Sequence, residues 1–139
     1  MSSNKLNAIV IAILLMSGSG VCFAQTFSCP EKIEPPAAAP IDNYPGWKSF
    51  SSARPQYFDR LSLTSGSPDQ EAFLVPDFDT KKLSGWNLNV GEEYWVVCNY
   101  LSSNVSLAQH LPANLKQCSV KLKAVGTKAM QQENTLICK

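Results

Sequence analysis

The cysteines of this chain, taken together with its export signal, constrain the fold more than any other feature. Lys5 precedes an unbroken apolar run over residues 8–16, small residues follow, and Val21-Cys22-Phe23-Ala24 ends in the small side chain that signal peptidases require. We therefore predict a signal peptide over residues 1–24, whose removal takes Cys22 with it. The mature chain keeps four cysteines: Cys29, Cys98, Cys118 and Cys138. An even number in an exported chain predicts two disulfides and an oxidising compartment, which we take to be the periplasm.

The N-terminus allows two other interpretations. A transmembrane anchor needs about 20 apolar residues, and the run over residues 8–16 is much shorter. A lipoprotein signal would use Cys22, but the residues before it, Ser19-Gly20-Val21, match such a signal poorly. We adopt cleavage after Ala24, so no stable membrane anchor is expected in the mature protein.

The apolar pattern of the mature chain is that of β-strands. Alternation is cleanest over residues 117–123, where Cys118, Val120 and Leu122 share one face. We predict a single, mainly β domain over residues 25–139, an antiparallel sheet or sandwich with two disulfides and a loop-rich N-terminal segment over 25–60. The predicted strands are 61–64, 85–90, 94–101, 117–123 and 134–138, with a short apolar run at 71–75.

Three of these segments carry more specific expectations. Trp86, Leu88 and Val90 alternate and should lie on one face. Residues 94–101 are apolar on both faces, which suits a central strand. Residues 105–116 fit either a strand or a single helical turn, followed by a loop, because Pro112 interrupts any helix.

The last two strands also suggest how the cysteines pair. A hairpin with its turn near residues 126–128 places Cys118 opposite Cys138 and Val120 opposite Leu136, all facing inward. Four cysteines allow three connectivities. This register favours Cys118–Cys138, which leaves Cys29 for Cys98.

The charge balance argues against nucleic acid as a partner. Without Lys5 the chain carries 11 basic and 11 acidic residues, so its net charge is near zero. Residues 69–93 hold six acids against two lysines, whereas residues 116–139 hold five lysines against one acid. Such asymmetry either steers a charged partner or solvates the outer faces of strands and loops.

No residues have the spacing of a catalytic or metal site. The one histidine, His110, lacks a nucleophile, since the cysteines are expected in disulfides. The carboxylate pairs Asp77/Asp79 and Glu92/Glu93 lack the ligand count of a calcium loop. We therefore expect no enzyme, no catalytic residue, no metal and no cofactor. The candidate partner-binding residues, acidic or aromatic, are Trp47, Asp77, Phe78, Asp79, Glu92 and Glu93.

Several short motifs, spaced over nearly the whole mature chain, resemble a known family. They include Cys29-Pro30, Pro45-Gly46-Trp47, Gly66-x-Pro68, Trp95-Val96-Val97-Cys98-x-Tyr100, Leu111-Pro112, Cys118-x-Val120 and Ile137-Cys138-Lys139. The chain is similar to small exported proteobacterial proteins found beside type VI secretion effectors of the L,D-transpeptidase type, which are taken as periplasmic immunity proteins. The resemblance implies a protein that binds and occludes a peptidoglycan-targeting effector.

Two other functions also suit a small exported protein of this composition. One is a periplasmic lysozyme inhibitor, because lysozyme is strongly basic and the segment 69–93 is acidic. The other is a non-catalytic envelope binding module without a toxin partner. The sequence does not indicate the oligomeric state.

Overall fold

In the computed structural model, residues 23–35, 45, 48–49, 54–127 and 129–139 are described. The strands of this part are β1 (Gln25–Ser28), β2 (Lys32–Ile33), β3 (Gln56–Ser65), β4 (Phe78–Asp79), β5 (Leu83–Asn87), β6 (Tyr94–Tyr100), β7 (Ser106–His110), β8 (Gln117–Val125) and β9 (Ala129–Cys138). They form two antiparallel sheets, β1-β9-β8-β5-β4 and β2-β3-β6-β7. A single 3-10 turn lies at Pro68–Gln70. The prediction of a mainly β, antiparallel domain is confirmed.

The core lies between the two sheets. Val120 and Leu136 from the first sheet and Leu61 and Leu63 from the second are almost completely buried. Because successive side chains of a strand point to opposite faces, each strand sends every second residue into this core. Strand β6 lies between β3 and β7 and is buried over most of its length, as predicted for a central strand.

Both predicted disulfides are present. Cys29–Cys98 joins the end of β1 in the first sheet to β6 in the second. Cys118–Cys138 joins the neighbouring strands β8 and β9, and the predicted register is confirmed, since Val120 pairs with Leu136. The sequence separations are 69 and 20 residues. Restriction of the unfolded chain then contributes about 4 and about 3 kcal/mol, respectively.

The N-terminal segment is more ordered than the sequence predicts. Strands β1 and β2 and the first residues of β3 all lie within residues 25–60, which were expected to be loop-rich. β1 and β2 are edge strands of four and two residues, too short to show alternation. Their order comes from tertiary contacts, because β1 pairs with β9 along its whole length and Tyr100 Oη donates a hydrogen bond to Pro30 O at 3.1 Å.

The prediction that Trp86, Leu88 and Val90 lie on one face is only partly right. Val90 does not follow Trp86 and Leu88 into the core but is 59% exposed. β5 ends at Asn87, and the chain then turns through Gly91, whose φ of +92° suits glycine. The apolar run 71–75 forms a single bridge to β3 at Phe73, which is itself exposed.

The ambiguous segment 105–116 adopts the strand alternative. It forms β7, an edge strand paired with β6, and then a loop. Leu111 closes this pairing, because its N–H donates to Tyr94 O at 2.9 Å, and its side chain is buried.

Candidate functional site

Strand β5 positions two of the candidate residues that were picked out from the sequence, Asp77 and Phe78. Asp77 directly precedes the edge strand β4. Its Oδ2 accepts a hydrogen bond from the Asn87 backbone N–H at 2.7 Å. The Asp77 N–H in turn donates to Gly85 O at 2.9 Å. The carboxylate therefore holds the segment before β4 against the last residue of β5.

Phe78 packs onto the first sheet instead of projecting freely. It pairs with Gly85, and a Cβ added to Gly85 would lie 2.2 Å from Phe78 Cζ. Glycine at this position thus makes room for the ring. The next residue, Asp79, is exposed, and its carboxylate forms no bond with any residue that the structure describes.

Glu92 and Tyr94 form a close pair at the start of β6. Tyr94 Oη donates to Glu92 Oε2 at 2.5 Å and accepts from the Asn89 N–H at 3.3 Å. Hydrogen bonds from Tyr94 and Asn89 hold the pKa of Glu92 below its ordinary value. Burial raises the pKa of Tyr94, and Glu92 and the charge of Asp77 raise it further. The Tyr94 hydroxyl therefore holds the carboxylate of Glu92 in place at the start of β6.

Glu93 points away from this group. Its Oε1 accepts a hydrogen bond from Trp95 Nε1 at 2.8 Å. The ring of Trp95 meets that of His110 edge-on, with centroids 5.2 Å apart. Glu92 and Glu93 thus face opposite ways, as expected of neighbours on an extended chain.

Five of the six candidate residues can be placed, and Trp47 lies outside the described residues. Asp77, Asp79, Glu92 and Glu93 are exposed and Phe78 is half-buried. We call Asp77, Asp79 and Glu92 the acidic surface. Asp77 is held against Asn87 at the end of β5, Asp79 pairs with Ser84, and Glu92 lies in the loop before β6.

The structure also brings together lysines that the sequence analysis treated only as charge balance. Lys81 and Lys82 in the turn between β4 and β5 line a groove with Lys121 of β8. The adjacent pair Lys81-Lys82 was visible in the sequence, but its proximity to Lys121 follows from the pairing of Leu83 with Lys121.

The described residues do not assemble a reactive centre. Cys29, Cys98, Cys118 and Cys138 are all in disulfides, and the ring of His110 contacts that of Trp95. Among the described residues, no group of three or more His, Cys, Asp or Glu side chains could hold a metal ion. Within the same residues, no helix is long and apolar enough to span a membrane. The arrangement suits binding through preformed polar surfaces.

Comparison with known protein families gives one match. Residues 52–139 match the model of the type VI secretion system Tli immunity protein. The matched region covers more than half of the chain and includes β3 to β9, whereas β1 and β2 precede it. No curated protein and no solved structure matches the chain.

Proposed function

Because this chain belongs to the Tli family of type VI secretion system immunity proteins, we propose that it binds an incoming protein effector and occludes its active site or substrate groove. The action is stoichiometric and requires no chemistry by the immunity protein. The observation that carries the proposal is the family match over β3 to β9. The exposed, preformed polar surfaces around β5 are consistent with such binding.

The proposed place of action is the periplasm, after removal of residues 1–24 as a signal peptide. Two disulfides fit an oxidising compartment. An effector that acts in the periplasm can reach the cell wall. We therefore propose a peptidoglycan-modifying effector of the L,D-transpeptidase type, as the resemblance of the sequence motifs implies.

The acidic surface is the proposed contact, with Phe78 and Glu93 at its margins. Trp47, which lies outside the described residues, is proposed as a further contact from the sequence alone. Hydrogen bonds within the fold already hold the carboxylates of Asp77 and Glu92. A side chain held in place before binding loses less conformational entropy when the complex forms. Each carboxylate has further acceptor sites for donors of the effector.

The function is tested by isothermal titration of the oxidised protein, exported with its own signal and purified. The titrant is a purified type VI secretion effector of the L,D-transpeptidase type, with lysozyme run in parallel. We expect tight one-to-one binding to the effector and none to lysozyme. Absence of effector binding contradicts the proposal, and binding to lysozyme alone supports an inhibitor of lysozyme instead.

The contact surface is tested with Asp79→Lys. Asp79 forms no bond within the described fold, so its replacement changes the acidic surface without removing a structural interaction. Glu71→Lys is the matched control, because Glu71 is an exposed acid on a different loop and the charge change is the same. We expect Asp79→Lys to weaken effector binding and Glu71→Lys to leave it unchanged. Equal affinities for the two variants would remove the acidic surface from the interface.

A further inference from the structure

A groove lies at the near end of β5, away from the site where Asp77 meets Asn87. It is lined by apolar side chains of Leu83, Leu122 and Met130 and by the three lysines Lys81, Lys82 and Lys121, and has a volume of about 630 Å³. The β8–β9 pairing shifts register between Val120 and Leu122. The Leu122 N–H donates to Lys82 O at 2.9 Å, which continues the β5–β8 pairing by one residue and fixes the β4–β5 turn beside the hairpin.

The lysines of this groove have no partners within the described fold. None of Lys81, Lys82 and Lys121 forms an ion pair or a side-chain hydrogen bond with a described residue. All three are exposed, and one acid, Glu133, also lines the groove. Three like charges around one concave surface repel each other and attract an anionic partner.

The contrast with the acidic surface is informative. The carboxylates of Asp77 and Glu92 already accept hydrogen bonds from their own chain. The ammonium groups of the three lysines donate none to a described residue. An apolar floor surrounded by charged groups has the arrangement of a protein interface, whose centre is apolar and whose rim is polar. Met130 at the floor is 49% exposed, so apolar surface is also left uncovered.

We infer that this lysine groove binds an acidic segment of the effector, with carboxylates on Lys81, Lys82 and Lys121 and an apolar side chain over Leu122 and Met130. The inference rests on the proposed function for the identity of the partner. It adds a second contact of opposite sign, at the other end of β5 from the contact between Asp77 and Asn87. Two contacts of opposite sign fix the orientation of a partner and suppress wrong ones.

The test compares the wild type, the triple variant Lys81→Glu/Lys82→Glu/Lys121→Glu and the control Lys116→Glu in titrations with the same effector. Lys116 is exposed and lies outside the groove. We expect the triple variant to bind roughly tenfold or more weakly. Its salt dependence should differ from that of the wild type, because only the contact at the acidic surface keeps its charge complementarity. The control should bind like the wild type.

The outcomes separate the two proposals. No binding by the wild type contradicts the proposed function, whereas equal binding by wild type and triple variant overturns the groove. A synthetic peptide of alternating Glu and Leu, titrated into the isotopically labelled protein, tests the groove without the effector. Chemical-shift changes of the Leu83, Leu122 and Met130 amides support the groove as a binding site, and the absence of such changes overturns this proposal. If the wild type self-associates and the triple variant does not, the occupant of the groove is a second copy of this chain. That result would also overturn the proposed binding of an effector segment.

Discussion

Tyr94 donates a hydrogen bond of 2.5 Å to the carboxylate of Glu92, two residues before it. The phenol belongs to the buried face of β6, and the carboxylate is exposed on the loop that leads into this strand. The pair therefore ties a surface charge of the acidic surface to the core. Its strength depends on the ionisation of Glu92, because a neutral carboxyl is a weaker acceptor than a carboxylate.

The first prediction concerns the pH dependence of stability. The pKa of Glu92 in the folded state lies below its ordinary value of 4.5, because Tyr94 and Asn89 donate to the charged form. A lowered pKa stabilises the fold above 4.5, and this stabilisation is lost as the pH falls through the folded-state pKa. We expect Glu92→Gln to be less stable than wild type near neutral pH and nearly equal to it in strong acid. Denaturant unfolding across this range measures the difference.

A companion variant identifies the donor. Tyr94→Phe keeps the ring and removes the hydroxyl, so the pKa of Glu92 should return toward 4.5 in an NMR titration of its carboxyl. A pKa of Glu92 that stays low in Tyr94→Phe would assign the shift to Asn89 or to another group.

The second prediction concerns the contact between Gly85 and Phe78. A Cβ on Gly85 would meet Phe78 Cζ at 2.2 Å and Cys118 O at 2.7 Å. We expect Gly85→Ala to lower the free energy of unfolding by about 1–3 kcal/mol, the usual cost of overpacking. The same substitution in a Phe78→Ala background should cost less, although the carbonyl of Cys118 keeps part of the penalty. An equal cost in both backgrounds would show that the ring is not the main obstacle.

The third prediction concerns a side chain that joins the two sheets. Gln132 Oε1 on β9 accepts the backbone N–H of Leu61 on β3 at 2.8 Å, close to the register shift between Phe58 and Arg60. Removing the acceptor leaves a partly buried N–H unpaired. We therefore expect Gln132→Ala to destabilise the protein by about 1 kcal/mol.

Gln131 offers the matched control for this prediction. It is also half-buried on β9, but its side chain forms no hydrogen bond with a described residue. Gln131→Ala should therefore change the unfolding midpoint less than Gln132→Ala. The reverse order would mean that the Leu61 N–H finds another partner.

The fourth prediction separates the two disulfides. Cys29–Cys98 closes 69 residues and Cys118–Cys138 closes 20. Chain entropy then makes the double variant Cys29→Ala/Cys98→Ala less stable than Cys118→Ala/Cys138→Ala by about 1 kcal/mol. Hydrogen exchange should also show loss of protection in β1 in the first variant, because this disulfide anchors a four-residue edge strand. Protection of β1 that survives would mean that its pairing with β9 suffices.

Local patterns predicted the parts of the fold that depend on neighbours along the chain. The alternation over residues 117–123 correctly placed Cys118 and Val120 on the inner face of β8. The alternation over residues 85–90 gave a wrong prediction for Val90, because the pattern continues past the end of β5 while the backbone turns at Gly91. Local patterns also missed β1 and β2, whose order comes from pairing with distant strands.

The sequence by itself determined the β class, the pairing of the cysteines and the register of the last hairpin. The reason is that side chains alternate strictly along a strand, so a few spaced residues define a face. Only the tertiary structure decided that Asp77 meets Asn87, that Phe78 rests on Gly85, and that Lys81 and Lys82 share a groove with Lys121. These contacts depend on which strands become neighbours, and that choice is made by burial of the whole core rather than by any local pattern.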